Sequence, residues 1–329
     1  TYGSRSLLMN VRIREWDPKL LEIFEVDAEK LCELREPGTV IGTVTDEFAA
    51  KTGLTAGTPF VSAGGDQQCA ALGHGVTAPG SLEITTGTGA FMLGYSEKVP
   101  DNLTNNIICG VHAIPGKYVL ESSMLTCAAL YNWAKANLFA DSEGDEKPFE
   151  RINEAVKQSP PGANDCLALP YFQGRGTPDW NADAKGCFVN LGLNTTRADM
   201  ARAILEAIAL EAKNNLDIVE SYVGTIDKLL IGGGLTKFPE FDQMQADVYQ
   251  KALTHNQSSA EQTALGAWAN AAVALEIYTT HTEAISTAKE NEQVETYVPN
   301  PAHADIYLRK QRQMNALYDS VKKLSKDIF

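Results

Sequence analysis

Three observations predict an α/β fold for this 329-residue chain. Apolar periodicity alternates between strand-like and helix-like along its length. Three glycine clusters, Gly64-Gly65, Gly87/Gly89 and Gly232-Gly233-Gly234, each close a strand-like segment. No internal repeat of about 20–50 residues interrupts the alternation. Taken in order, an amphipathic helix is expected near residues 17–25. Pro37-Gly38, Gly53, Gly57 and Pro59 then cut "EPGTVIGTVTDEFAAKTGLTAGTPFVSAGGD" into short extended pieces and one helical turn, leading into a buried strand that ends at Asp66. "SLEITTGTGAFMLGYS" reads as two strands joined by a tight glycine turn. A helix at 122–138, an acidic loop "DSEGDEKP" and a helix at 148–157 follow. The strand "DCLALPYF" runs into the irregular loop "QGRGTPDWNADAKG". From Arg197 to Tyr222, Ile204, Ile208, Leu216 and Val219 recur at a helical period. "DKLLIGGGLTKFPEFDQMQADVYQKAL" is a buried strand, a glycine turn and a helix. "EQTALGAWANAAVALEIY" is a helix whose Ala and Gly face allows close packing, and 303–326 is a charged amphipathic helix.

The 28 basic and 42 acidic residues leave a net charge of −14, which opposes binding to nucleic acid or an anionic membrane. A neutral small molecule is the easier partner. Six cysteines (Cys32, Cys69, Cys109, Cys127, Cys166 and Cys187) form no CxxC pair, so neither a zinc site nor a disulfide framework is indicated, and reduced thiols in a cytoplasm are expected. No signal peptide is recognised, so the glycosylation patterns at Asn102, Asn194 and Asn256 are read as chance. No apolar run reaches the roughly 20 residues that a membrane span needs. The chain opens with "TYGSRSLLMN", directly in mid-domain sequence, and is expected to be a fragment.

Each glycine cluster offers backbone amides that an anion can approach without meeting a Cβ; taken singly, each is equally a tight turn. "GTGAFMLG" misses the GxGxxG spacing and precedes a strand, and no GxxxxGK[ST] occurs, which excludes a P-loop enzyme and a Rossmann dehydrogenase. Asp66 stands between a glycine pair and Gln67-Gln68. A lone buried carboxylate is costly, so Asp66 is either a solvated strand-end or N-cap residue, or a general base that takes a proton from an attacking hydroxyl, with Gln67 placing a second hydroxyl. His74 and His112 are isolated and lack metal-ligand spacing. No GxSxG elbow is present, and Arg175 in "QGRGTPDW" is left unassigned.

Put in order, "TGLTAGTPFVSAGGDQQCAALGHG", "TTGTGAFM", "LPYFQGRGTPDWNADAKG", "RAILEAIALEAKNNLDIV", "LLIGGGLTKFPEFDQMQAD" and "EQTALGAWANA" resemble the FGGY family of carbohydrate kinases over nearly the whole chain. The resemblance implies a ribonuclease-H-like α/β fold of the actin and hexokinase type: the second domain of such a kinase plus the end of the first. It implies ATP and Mg2+ as cofactors, with no confident protein ligand for the metal, and a sugar or polyol as substrate. Asp66 would be the catalytic base; Gln67 and Phe91 would touch substrate. Gly87, Thr88, Gly89 and Gly174 would meet the ATP phosphates, and Gly233 and Gly234 the adenosine. Residues 1–66 would be the remnant of the sugar-binding domain, 67–278 the nucleotide domain, and 279–329 a linker and terminal helix. Two departures stand out. Nothing matches the family's DxGTTS-like phosphate hairpin, and Phe238-Pro239 occupies the place where glycerol kinases carry an Asn pair. The expected activity is phosphorylation of a pentulose such as xylulose; the alternatives are a glycerol kinase, or a nucleotide-binding module inactive without the N-terminal half. The chain alone is an uncertain catalyst, and a homodimer is left open.

Overall fold

Strand segments buried on both faces dictate a covered sheet, since an uncovered face would leave their apolar side chains in water. The computed structural model, which describes residues 1–139, 148–256 and 261–328, contains a seven-stranded sheet. Its strands are β1 (Ser81–Thr86), β2 (Ala90–Ser96), β3 (Ile108–Val111), β4 (Tyr118–Met124), β5 (Lys228–Gly233), β6 (Leu253–Asn256) and β7 (Val294–Tyr297). Their order is β7-β6-β5-β1-β2-β4-β3. β1, β2, β4 and β3 pair antiparallel, whereas β5 runs parallel to both β1 and β6. Four antiparallel strands joined through β1 to the parallel strands β5 and β6 give the mixed sheet expected of a ribonuclease-H-like domain.

Side chains alternate between the two faces. Leu82, Ile84 and Met92 enter one core with α2 (Ala128–Leu138), α3 (Pro148–Gln158), α4 (Arg197–Val223), α5 (Pro239–Tyr249) and α8 (Ala304–Ile328). Leu93, Tyr95 and Leu230 enter a second core with α1 (Asp66–His74), α6 (Gln262–Ala274) and α7 (His281–Ala288). Parallel pairing of β1 and β5 needs a long connection, and α4 is the last helix of it, leading into β5. The start of α4 is set by a capping box, with the Thr196 hydroxyl accepting from the Asp199 amide and the Asp199 carboxylate accepting from the Thr196 amide.

Several expectations change in three dimensions. The predicted 122–138 helix begins only at Ala128, because Tyr118–Met124 is a fully buried strand; a short apolar run does not reveal its own period. The strand expected to end at Asp66 is not buried. Pro59–Val61 pairs with Val40–Thr43 in an outlying ribbon, and Phe60 is 63 % exposed. Of "DCLALPYF", only Leu167–Leu169 is a strand, paired with Cys187–Val189. Residues 279–329, expected as linker and tail, also furnish α7 and the edge strand β7. The first residues dock on the opposite edge: Arg5 Nη1 lies 2.6 Å from Glu121 Oε2 on β4, and the Val111 amide donates to Ser4 Oγ at 3.2 Å. The acidic loop between α2 and α3, and the last two residues of the Asn256 pattern, lie outside the described residues. Among the described residues no helix is long and apolar enough to cross a membrane.

The small-residue face of α6 does pack closely, against α1. A Cβ on Gly73 would sit 1.9 Å from the Gln262 carbonyl oxygen, and one on Gly266 would sit 1.9 Å from that of Cys69. Both obstacles are backbone atoms, so the helices must move apart to accept a methyl group. Gly266→Ala is expected to destabilise the fold by about 1–3 kcal/mol, the usual cost of overpacking, read as a lower Tm by calorimetry. An unchanged Tm would show that the crossing is not tight in solution.

Candidate nucleotide and substrate site

Open sheets with parallel strands place ligands at the carboxyl ends of those strands, and two of the three glycine clusters, Gly87/Gly89 and Gly232-Gly233-Gly234, meet there, whereas Gly64-Gly65 precedes α1. β1 ends at Thr86, and Gly87-Thr88-Gly89 form the turn into β2. The Gly87 amide donates to the Gly89 carbonyl at 2.8 Å. The Gly87 and Thr88 carbonyls accept from the Ala128 and Cys127 amides, both at 2.9 Å, and so satisfy first-turn donors of α2 that no intrahelical carbonyl can reach. Among the described residues the Thr88 and Gly89 amides have no intramolecular partner, and Thr88 is exposed. A Cβ on Gly89 would lie 2.4 Å from the Met124 carbonyl oxygen. Only glycine lets the turn sit this close to the end of β4.

Gly232 and Gly233 of β5 pair with Thr85 and Thr86, placing the second cluster beside the root of the first. Gly233 has φ +101, and a Cβ there would meet Thr86 O at 2.4 Å. Gly234 opens a helical turn to Lys237 before α5. Phe238, where an adenine-facing amide was considered, is 5 % exposed and stacks on Tyr131 with centroids 6.5 Å apart, while Pro239 starts α5. These two residues serve packing and helix initiation. Gly174 (φ +89) lies in a loop seated on the continuation of β4. There the Thr177 amide donates to the Ser123 carbonyl at 3.0 Å, and the Gln173 amide to Thr126 Oγ1 at 3.1 Å. Residues 123–128 therefore carry both this loop and the Thr88 turn. Sequence reasoning passed over them because, apart from the Thr126 hydroxyl, their contribution is made through main-chain contacts.

Asp66 is exposed, so the cost of burying a charge gives no argument for its role. It is neither a strand end nor the N-cap. Gly65 caps α1, donating its amide to Thr1 Oγ1 at 2.6 Å, and Asp66 is the first helical residue, its Oδ1 accepting from the Gln67 amide at 2.8 Å. Gln67 beside it is half-buried. Phe91, also half-buried, sits opposite Thr85 and Ser123 and packs into the core on the sheet face that α1 covers. Asp66, Gln67 and Phe91 thus belong to the α1 side, while Gly87, Thr88, Gly89, Gly174, Gly233 and Gly234 share the carboxyl-end crevice. His74 and His112 are structural. His112 Nε2 bonds the Val76 carbonyl at 2.9 Å and its Nδ1 accepts from the Ile114 amide at 3.1 Å. Among the described residues no three His, Cys, Asp or Glu side chains gather to hold a metal ion.

Glu83 escaped sequence reasoning: in "SLEITT" it alternates with Ser81 and Thr85 like a solvent-facing residue. It is fully buried beneath α1; Thr85 Oγ1 donates to its Oε2 at 2.6 Å and Oε1 has no partner. Burial, aided by the charge of Glu121, pushes its carboxyl up from 4.5 to about 7. His74 Nε2 is 3.8 Å away, yet burial lowers that imidazole to about 4, so the contact is no ion pair at neutral pH. A raised native pKa means that folding binds a proton: the stabilisation is complete below pH 4.5 and is lost as pH rises to about 7. At pH 8, Glu83→Gln is expected to stabilise the fold by up to about 3 kcal/mol, a gain that vanishes near pH 4. Equal Tm–pH slopes for the two proteins would show that Glu83 ionises freely.

Residues 82–275 match the model of the FGGY family of carbohydrate kinases, C-terminal domain, and residues 1–73 match its N-terminal domain. The chain belongs to the FGGY family of carbohydrate kinases. This FGGY chain is 32% identical over 272 residues to a glycerol kinase of Burkholderia ambifaria, covering 81% of this chain and 52% of that protein. It is 30% identical over 250 residues to a glycerol kinase of Gloeobacter violaceus, covering 75% and 48%. It therefore spans about half the length of the relatives it matches. Its fold is similar to that of ligand-bound xylulose kinase from Lactobacillus acidophilus, with a TM-score of 0.87 at 22% identity over 98% of this chain and 64% of that one. Xylulose kinase from Rhodospirillum rubrum gives 0.85 at 25% identity, covering 94% and 61%. The FGGY chain has the mixed α/β, actin- and hexokinase-like ATPase fold.

Proposed function

We propose that this FGGY chain carries the nucleotide site and the proton acceptor of an ATP-dependent kinase that phosphorylates a hydroxyl of a small sugar or polyol. The observation that carries the reading is the convergence of the Gly87–Gly89 turn, the Gly174 loop and the Gly233-Gly234 turn at one end of the sheet, with the Thr88 and Gly89 amides unpartnered among the described residues. Such donors suit a polyphosphate, and they stabilise phosphoryl charge without requiring a basic protein. ATP with Mg2+ supplies the transferable phosphoryl group and part of the charge neutralisation. Asp66 accepts the proton of the substrate hydroxyl as the new oxygen–phosphorus bond forms and the bond to the departing ADP oxygen breaks. The Gln67 amide orients a second hydroxyl and Phe91 walls the substrate. The Thr88 and Gly89 amides hold phosphate oxygens, Gly87 and Gly174 keep the turn and loop beside those oxygens free of side chains, and Gly233 and Gly234 leave room for the adenosine. On this reading the sugar-binding domain contributes residues 1–66, the nucleotide domain is 67–278, and 279–329 completes it.

A pentulose such as xylulose is the favoured acceptor, supported by the likeness of fold to xylulose kinases. Glycerol is the second reading, supported by the sequence relatives. Calorimetric ADP titration of this chain, run beside a coupled kinase assay with xylulose and glycerol, tests both. ADP binding with turnover supports the kinase, and the turned-over acceptor decides between the two readings. Binding without turnover favours a nucleotide-binding module. No ADP binding overturns the assignment of the glycine loops.

A further inference from the structure

Arg175 follows Gly174 in the loop, and its surroundings assign it a task other than meeting phosphate. It is 9 % exposed. Nε and Nη2 bind both oxygens of Glu211 on α4, at 2.7 and 3.1 Å, the bidentate geometry that suits guanidinium to carboxylate. The guanidinium carbon lies 4.3 Å from the centroid of the Tyr318 ring on α8 and 5.2 Å from that of Tyr171. Tyr171 Oη donates to Glu211 Oε2 at 2.9 Å. Tyr318 Oη donates to Asp179 Oδ2 at 2.7 Å and accepts from Asn181 Nδ2 at 3.1 Å, and Lys322 also binds Asp179. The Arg175 amide closes the loop on the Asn181 carbonyl at 2.8 Å. Burial opposes the charge, but Glu211 outweighs it and the guanidinium is held firmly ionised.

We infer that Arg175 and Tyr318 are positioning residues: they tie the Gly174 loop to α4 and to the C-terminal helix α8, so that α8 sets the affinity for the nucleotide's phosphates. The inference rests on the nucleotide reading above. The loop already has support from the Ser123 carbonyl and the Thr126 hydroxyl, so loosening α8 should misplace it without dissolving the domain. A ring over a guanidinium is attractive through its π face, which phenylalanine keeps and leucine lacks.

The test compares the unsubstituted chain with Tyr318→Leu and Tyr318→Phe, reading ADP affinity by calorimetry, Tm, and hydrogen exchange of the 173–177 amides without nucleotide. Tyr318→Leu is expected to weaken ADP binding by about five- to thirtyfold and to speed exchange in the loop; Tyr318→Phe should restore most of both. Unchanged ADP affinity in Tyr318→Leu, whatever its Tm, would overturn the inference and leave the nucleotide reading standing. No ADP binding by the unsubstituted chain would overturn both. An Arg175→Lys variant, which keeps the charge but loses the fork, is expected to weaken ADP binding in the same direction; undiminished binding would count against the positioning role.

Discussion

Asp66→Asn is expected to lower the rate of phosphate transfer by about 100- to 10,000-fold, the usual contribution of a general base, while ADP affinity stays within about twofold because the reading assigns the phosphates to the Thr88 and Gly89 amides and not to Asp66. The substitution isolates chemistry from folding. The cap of α1 is Gly65, and among the described residues the side chain of Asp66 makes one hydrogen bond, accepting from the Gln67 amide at 2.8 Å, which an asparagine carbonyl also makes. The helix loses one favourable charge at its N-terminus, worth about 0.3–1 kcal/mol, too little to unfold a domain with two cores. What asparagine cannot do is accept the hydroxyl proton. The measurement is a coupled assay with the acceptor that the unsubstituted protein phosphorylates, beside an ADP titration. A variant that retains most of its turnover would remove Asp66 from the mechanism.

Gly89→Val should act on the other half of the site, weakening ADP binding at least tenfold, about 1.4 kcal/mol. A Cβ at this position meets the Met124 carbonyl oxygen at 2.4 Å and that of Leu125 at 3.5 Å. Neither is the flexible end of a side chain, so the turn itself must shift and carry the Thr88 and Gly89 amides with it. Overpacking of this kind also costs about 1–3 kcal/mol of stability, so Tm and affinity fall together. Gly234→Ala is the informative comparison. Its nearest protein atom is Thr86 O at 4.0 Å, so Tm should hold, and any loss of ADP affinity must arise from the ligand side. Unchanged affinity in Gly89→Val would mean that the turn does not hold phosphate.

Much of this architecture was legible because it is local. A glycine turn between two alternating strands, or a 27-residue helix with a capping box, is written in neighbours a few residues apart. Two of the misjudged segments show where that logic stops. The helix expected from 122 takes in the end of the strand Tyr118–Met124, because buried Glu121, Ser122 and Ser123 break the apolar alternation that would mark it, and Pro59–Val61 looks buried because apolar residues do not say whether another layer covers them. The family's motifs supplied candidate residues, but their surroundings lay beyond reach: exposure removed the burial argument for Asp66, and a covering helix turned Glu83 from a surface acid into a proton-binding one.

The sequence by itself determined the α/β alternation, the glycine turns, the family and the candidate residues Asp66, Thr88 and Gly233. Only the tertiary structure decided that β5 brings Gly233 against Thr86, that residues 123–128 support two loops at once, and that Arg175 is spent on Glu211, 36 residues away. The reason is physical. Backbone propensity and period act between near neighbours, whereas desolvation, ion pairing and close backbone approach depend on which distant segments meet.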